Sequence, residues 1–149
     1  MEHGLAQISA LPQVGGAFIC DNRGDVIVSS SPAVLATVTM SAMGREVGRI
    51  VGALESSGRP ASRLDFTYSN WRLLAMDLGD AILLVVCHAN VDMSFVGMTT
   101  DIVLTGWRRD ADVQRRLQRH RVEREPLVSR TNAARPQRAT WRTLEPNSQ

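Results

Sequence analysis

The residues of this chain that could do chemistry are few and widely separated. The three histidines, His3, His88 and His120, lie in different segments and lack the Cys/His/Asp spacing of a metal site. The serine run at 29–31 precedes a helix start, with no histidine and acid placed to activate a nucleophile. We therefore expect no catalytic residue, no metal and no cofactor, and we expect that the protein is not an enzyme.

Phosphate-binding loops are also missing from the sequence. All 17 basic residues are arginines, so the lysine of a P-loop is absent, and no GxGxxG occurs. The stretch GREVGRIVG at 44–52 spaces its glycines four residues apart, which is typical of a helix interior and not of a loop around a phosphate. Acidic residues near turns, at 21, 25, 77 and 80, are expected to bond their own backbone.

Composition indicates one ordinary globular domain. The chain has 149 residues, of which 44% are hydrophobic and 21% are charged. No apolar run reaches the roughly 18 residues that span a bilayer, and the first residues lack the features of a signal peptide. We expect a cytoplasmic protein without a membrane span. Cys20 and Cys87 lie in apolar runs and are expected to be free thiols, with a bridge between them as the less favoured alternative.

Charge divides the chain into a mildly acidic body and a basic end. Up to Trp107 there are six arginines and ten acidic residues, whereas from Arg108 onward there are eleven arginines and five acidic residues. We assign 1–107 to one domain, 108–127 to an arginine-rich helical extension, and 128–149 to a disordered tail of low aliphatic content.

Hydrophobic period and turn residues predict the elements. A short helix is expected within 4–13, and strands at 16–21 and 25–30 form a hairpin. A long helix begins at the Ser31-Pro32 cap and ends near Ser57. Three strand segments, RLDFTYSN, WRLLAMDLG and AILLVVCHA, follow it, and the last is apolar enough for a central strand. A final helix starts near Ser94, reaches Pro126 at the latest, and is divided by Gly106 into a packed half and a solvated half.

The long central helix carries two stripes. One is an apolar stripe that a sheet would bury, and it contains Ala36, Met40, Met43, Val47, Ile50 and Leu54. A second stripe is lined with small residues, which let another backbone approach closely. We expect this stripe to pack on its own copy in a two-fold homodimer, with an aromatic side chain of the same chain as the alternative. On this view Gly48→Leu breaks the dimer and leaves a folded monomer. The stripe contains Thr37, Ser41, Gly44, Gly48 and Gly52.

The order of these motifs resembles the roadblock family, the dynein-light-chain-like domain that also occurs in bacteria and archaea. The carrying segments are LPQVGGAFICDNRGDVIVSSS and the later Gly79-Asp80 leading into AILLVVCHANVDMSFVG. The resemblance covers roughly residues 3–110. It departs from the family before the last helix, where VDMSFVG stands in place of an Asn-Leu-Gly step.

This resemblance implies a fold and a mode of assembly. The fold is an α/β (α+β) sandwich, in which a central five-stranded antiparallel sheet is built in the order helix-strand-strand-helix-strand-strand-strand-helix. It also implies a homodimer in which the central helices pair and the strands at 63–70 join edge to edge. That joint adds Leu64, Phe66 and Tyr68 to the expected interface.

The resemblance further implies a function without catalysis. Prokaryotic roadblock proteins commonly work with small Ras-like GTPases, so we expect a homodimeric adaptor or regulator of such a GTPase, with a possible GTPase-activating or scaffolding role. One alternative is a scaffold or assembly module. Another is binding of nucleic acid or an acidic partner by the basic end, which we favour less because acidic residues dilute its first half.

Overall fold

The computed structural model describes residues 1–30 and 37–120 of the chain. Its elements follow the predicted order, and a further helix, α4, covers 111–120. The other helices and strands are α1 (Glu2–Ser9), β1 (Val14–Cys20), β2 (Val26–Ser30), α2 (Thr37–Ser56), β3 (Arg63–Thr67), β4 (Trp71–Asp77), β5 (Ile82–His88) and α3 (Met93–Arg109).

The five strands form one antiparallel sheet in the order β2-β1-β5-β4-β3. β5 lies at its centre, as its continuous apolar sequence predicts. Leu84 points into one apolar cluster and its neighbour Leu83 into another, so both faces of the strand are buried. The predicted five-stranded α+β architecture is confirmed.

Each face of the sheet has its own apolar core. The α2 face contains Phe18 and Leu84 and packs against α2 through Met40 and Val47. The α3 face packs against α1, α3 and α4. Its central side chains, Ile19, Leu74 and Leu83, are inaccessible to solvent. Burying one such side chain contributes about 1.5–3 kcal/mol, so both cores contribute substantially to stability.

The last predicted helix is in fact two helices, and the break is not at Gly106. α3 continues through Gly106 and ends at Arg109, and the backbone of the next residue, Asp110, is extended. The Asp110 carboxylate accepts hydrogen bonds from the backbone N–H groups of Asp112 and Val113, at 2.9 and 3.3 Å, and so caps α4. Position 110 therefore ends one helix and starts the next.

α4 corrects the expectation of a solvated extension. Val113 and Leu117, one turn apart, are each only 5% exposed and belong to the core of the α3 face. The arginine-rich composition predicts a solvated helix because only two side chains of α4, those of Val113 and Leu117, are buried. The remainder of the predicted extension, 121–127, the predicted tail, 128–149, and the predicted Ser31-Pro32 cap lie outside the described residues.

Candidate protein-interaction site

The β1–β2 turn of the same chain covers part of the glycine stripe of α2. A Cβ atom on Gly48 would lie 2.5 Å from the carbonyl oxygen of Asn22. On Gly44, a Cβ would lie 2.7 Å from Cys20 Sγ and 3.0 Å from the Cα of Gly24. Neither position has room for a side chain, because the turn backbone lies against Gly48 and the Cys20 side chain and the Gly24 backbone lie against Gly44.

This contact corrects the argument from glycine spacing. Gly44 is buried and Gly48 is half-buried beneath the turn, so a close approach within one chain explains both residues. The neighbours are the turn backbone and the Cys20 side chain, and not the aromatic side chain of the predicted alternative. Gly52 is exposed, and a Cβ there would meet no atom within 4 Å, so of the three it alone remains open. Ser41 is half-buried, and its carbonyl oxygen lies under Gly24. The backbone of Thr37 is helical, and its side chain lies outside the description.

Side-chain hydrogen bonds of Asp21 hold the turn. Asp21, only 2% exposed, accepts hydrogen bonds from the backbone N–H groups of Arg23 (2.7 Å) and Asp25 (3.2 Å) through one carboxylate oxygen. Its other oxygen lies 2.9 Å from Nε2 of His120 at the end of α4. Gly24 adopts a φ of 88°, which favours glycine. The turn thus lies between α2 and α4 and contacts both.

The turn also explains how α2 is oriented. Among the described side chains of α2, the most buried are Met40, Val47 and Val51. Around the helix axis, the centre of these three lies closer to the glycines than the centre of the predicted apolar stripe. Ile50 and Leu54, both predicted to be buried, are only half-buried. An apolar flank of α2 therefore stays partly accessible. We call Met43, Ile50 and Leu54 the apolar flank of α2.

β3 forms an edge of the sheet, beyond β4. Leu64 and Phe66 alternate with exposed residues and pack as half-buried side chains on the α2 face. Tyr68 lies just past the strand, is 43% exposed, and stacks on Trp71 with ring centroids 4.1 Å apart. The predicted interface residues of β3 thus lie at one sheet edge, on the face that also carries the apolar flank of α2.

Three arginines near this site differ in their surroundings. Arg72 belongs to the opposite face of β4 and pairs with Asp65 of β3 at 2.7 Å. Arg49 pairs with Glu46 at 3.1 Å on the exposed side of α2, where an ion pair contributes little. Arg45 is exposed one residue after the buried Gly44.

The cysteines are separated and unreactive. Cys20 faces the α2 core and pairs in register with Ile82, whereas Cys87 faces the other core five residues further along β5. That offset is about 17 Å at ~3.4 Å per residue, too far for a disulfide. Burial raises the pKa of Cys20 to about 12 and the pKa of Cys87 to about 11. Both thiols are therefore protonated at neutral pH.

The described residues offer a surface for association, and their histidines lie apart from one another. His3 and His88 are exposed at separate places, and His120 is paired with Asp21. Within residues 1–30 and 37–120, no three His, Cys, Asp or Glu side chains converge as metal ligands. In that same part of the chain no helix is both long and apolar enough to cross a membrane. The sequence predicts the hairpin of the strands at 16–21 and 25–30, but it does not predict that the turn between them packs on the glycines of α2.

Comparison with known proteins identifies the fold. No protein-family model matches the sequence, and no curated protein sequence matches it. Among solved structures, a roadblock/LC7 domain from Streptomyces avermitilis is 14% identical, with a TM-score of 0.59 over 73% of this chain and 95% of that one. MglB from Myxococcus xanthus is 14% identical, with a TM-score of 0.61 over 70% of this chain and 88% of that one. An MglB structure with a tetrameric arrangement is 11% identical, with a TM-score of 0.63 over 78% of this chain and 87% of that one. The chain therefore has a roadblock-like fold.

Proposed function

We propose that this protein is a homodimeric, non-catalytic adaptor or regulator of a small Ras-like GTPase. The roadblock-like fold and the similarity to MglB structures support a role of this class. The observation that carries the proposal is the accessible apolar surface that the edge strand β3 and the apolar flank of α2 provide on the same face of the sheet. Such a surface suits protein association, and the description of one similar MglB structure as tetrameric favours testing self-association.

In the proposed dimer, two copies meet through the apolar flank of α2 and through the free edge of β3. The flank supplies Ile50 and Leu54, and β3 supplies Leu64 and Phe66. Edge-to-edge pairing of β3 would extend two five-stranded sheets into one, which also protects the exposed edge. This arrangement keeps the predicted strand contact and moves the helix contact from Gly44 and Gly48 to the neighbouring flank.

The dimer would then present its joined sheet or paired helices to the switch regions of the GTPase. Ordering those segments changes hydrolysis by positioning groups that belong to the GTPase itself. Arg72 is a poor candidate for a residue inserted toward phosphate, because it lies on the opposite face and pairs with Asp65. Arg45 and Arg49 are exposed on α2 and are the better candidates.

The first experiment is nucleotide-dependent binding. The Ras-like GTPase encoded nearest to this gene is loaded with GDP or with a non-hydrolysable GTP analogue, and binding is measured by biolayer interferometry. We expect at least tenfold tighter binding in one nucleotide state. Absence of binding in both states would contradict the regulatory role, whereas equal binding in both would favour a scaffold or assembly module that uses the same surface.

The second experiment addresses the dimer. Sedimentation equilibrium should show self-association at micromolar concentration, weakened at least tenfold by Ile50→Arg. Ala42→Arg places the same charge on the exposed side of the same helix and serves as the control. A wild-type monomer at that concentration, or equal effects of both variants, would refute this interface.

The nucleic-acid alternative gains no support from α4. Arg116 bonds the Glu2 carboxylate at 2.5 Å, and Arg115 bonds the Asp112 carboxylate. These two cations are therefore partly neutralised within the chain. A mobility shift that is sensitive to salt and is lost on truncation after residue 107 would be needed to favour that role.

A further inference from the structure

The outer side of α3 is the most exposed apolar surface in the described part of the chain. Four large apolar side chains are exposed among the described residues, and three of them lie on α3: Phe95 (43%), Met98 (57%) and Ile102 (67%). The fourth, Tyr68, stacks on Trp71. A cluster of this kind on one helix indicates a contact surface and not a scatter of single residues.

Helical geometry aligns these residues with two others. At 100° per residue, and with Ile102 at zero, Phe95 falls at about +20° and Met98 at about −40°. Gly106 falls at about +40° and Arg109 at about −20°, and both are exposed. We call these five residues the outer stripe of α3. The opposite side of the helix faces the core through Val96, Thr100, Leu104 and Trp107.

We propose that the outer stripe binds the outer stripe of a second copy, with the two helices antiparallel and a two-fold axis at Ile102. Met98 and Gly106 lie four residues on either side of Ile102, and Phe95 and Arg109 lie seven residues on either side. An antiparallel pair therefore places Ile102 on its own copy, Met98 against Gly106, and Phe95 against Arg109.

Each of these pairings is chemically favourable. A Cβ on Gly106 would meet no atom within 4 Å, so Gly106 leaves a notch on the helix that can accept Met98. Arg109 placed over the Phe95 ring makes a cation–π contact. Asp101 falls at about −100°, away from the axis, so like charges do not meet at the centre.

The surroundings of the stripe also suit a second helix. A shallow groove lined by Arg63, Met98 and Asp101 runs along one side of α3. Another groove, lined by Gln7 and Gly106, runs along the junction of α1 and α3 on the other side. Two grooves beside one ridge are what ridge-into-groove packing requires.

The size of the surface sets the expected strength. Residues 95–109 span about 21 Å at ~1.5 Å per residue, which gives less contact than the ~800 Å² per partner of a standard interface. We therefore expect weak pairing, visible at tens of micromolar or above. It uses the other face of the sheet from the proposed α2 and β3 dimer, so the two contacts together would join dimers into tetramers or longer assemblies, and each can fail without the other.

Cysteine cross-linking tests the register. Ile102 is the only stripe residue that meets its own copy in this arrangement, so Ile102→Cys should form a disulfide-linked dimer under mild oxidation. Thr105→Cys is also exposed but is offset from the axis, and it serves as the control. The native cysteines are buried and should stay silent. We expect at least fivefold more cross-linked dimer from Ile102→Cys; equal yields from the two variants would overturn the proposal.

Sedimentation tests the chemistry of the pairing. Ile102→Asp and Gly106→Leu should each weaken the association at least tenfold while circular dichroism remains unchanged. Phe95→Glu should retain it, since a carboxylate then faces Arg109, and Phe95→Glu with Arg109→Glu should lose it. Cross-linking at position 102 should persist in an Ile50→Arg background, which separates this contact from the proposed dimer. If the Ile102→Asp protein sediments as the wild type does, the inference is wrong. The stripe would then be covered by another molecule or by residues 121–149, or by nothing.

Discussion

One helix covers the α2 face of the sheet, whereas three helices cover the α3 face. On the α2 face, the β1–β2 turn fills one side of α2 and leaves Ile50 and Leu54 half-buried on the other. On the α3 face, α4 completes the cover, and the exposed apolar residues lie on the outside of α3, away from the sheet. The two faces therefore offer two kinds of surface to a partner. On the α2 face it is the edge of an incompletely covered core, and on the α3 face it is the exposed outer stripe of a helix.

The largest effect is expected where the turn meets α2. Gly48→Leu should destabilise the fold by about 3 kcal/mol, because the new side chain meets the Asn22 carbonyl and the turn must move. Gly52→Leu should be neutral or slightly stabilising, since its surroundings are open and leucine favours helix. Urea unfolding of both variants measures the difference. If the two variants unfold alike, the turn does not restrict position 48, and the prediction from spacing alone, a folded Gly48→Leu monomer, would stand.

Gly44, Gly48 and Gly52 also show what the sequence could predict and what it could not. Their spacing indicates a close backbone approach to α2, and the structure contains one. The identity of the neighbour depends on the path of the turn at 21–25, a tertiary contact that helical periodicity cannot express. Element order and the central place of β5 were predictable, because alternation and turn residues determine them locally.

α4 shows the limit in the other direction. An arginine-rich segment is typical of a solvated helix, and only Val113 and Leu117 mark its buried side. Two apolar residues at i and i+4 are too few for a confident pattern, and their burial depends on the break at Asp110. The candidate site was also predictable only in part. The resemblance to the roadblock family implied that β3 lies at an edge, whereas the partial exposure of the apolar flank of α2 is visible only in the structure.

A second test compares a buried leucine of α4 with a half-buried leucine of α2. Leu117→Ala should cost about 2–3 kcal/mol, because the side chain is 5% exposed and lies in the core of the α3 face. Leu54→Ala on the α2 face should cost less than about 1 kcal/mol, since Leu54 is only half-buried. Urea midpoints supply the comparison, and limited trypsin digestion should show faster cleavage at Arg115 and Arg119 in Leu117→Ala. Equal losses from the two variants would mean that α4 does not belong to the core.

The smallest effect concerns the ion pair that ties α4 to α1. The hydrogen bond from Arg116 lowers the pKa of Glu2 from its ordinary 4.5 to about 2. A carboxyl whose folded pKa is depressed stabilises the fold above its unfolded pKa, and this contribution is lost as the pH falls through the folded pKa. Glu2→Gln should therefore reduce stability at pH 7 by less than about 1 kcal/mol, because both side chains are well exposed.

The pH dependence distinguishes this pair from a general loss of charge. The stability difference between wild type and Glu2→Gln should shrink between pH 4.5 and about 2, and it should also shrink in 1 M salt, where exposed charges are screened. Glu46→Gln, which removes an ion pair within α2, is the control for the change in net charge. Because the Glu2 pair joins α1 to α4, only Glu2→Gln should also speed trypsin cleavage in α4. A difference that is independent of pH, or faster cleavage in both variants, would show that α4 is held by Val113 and Leu117 alone.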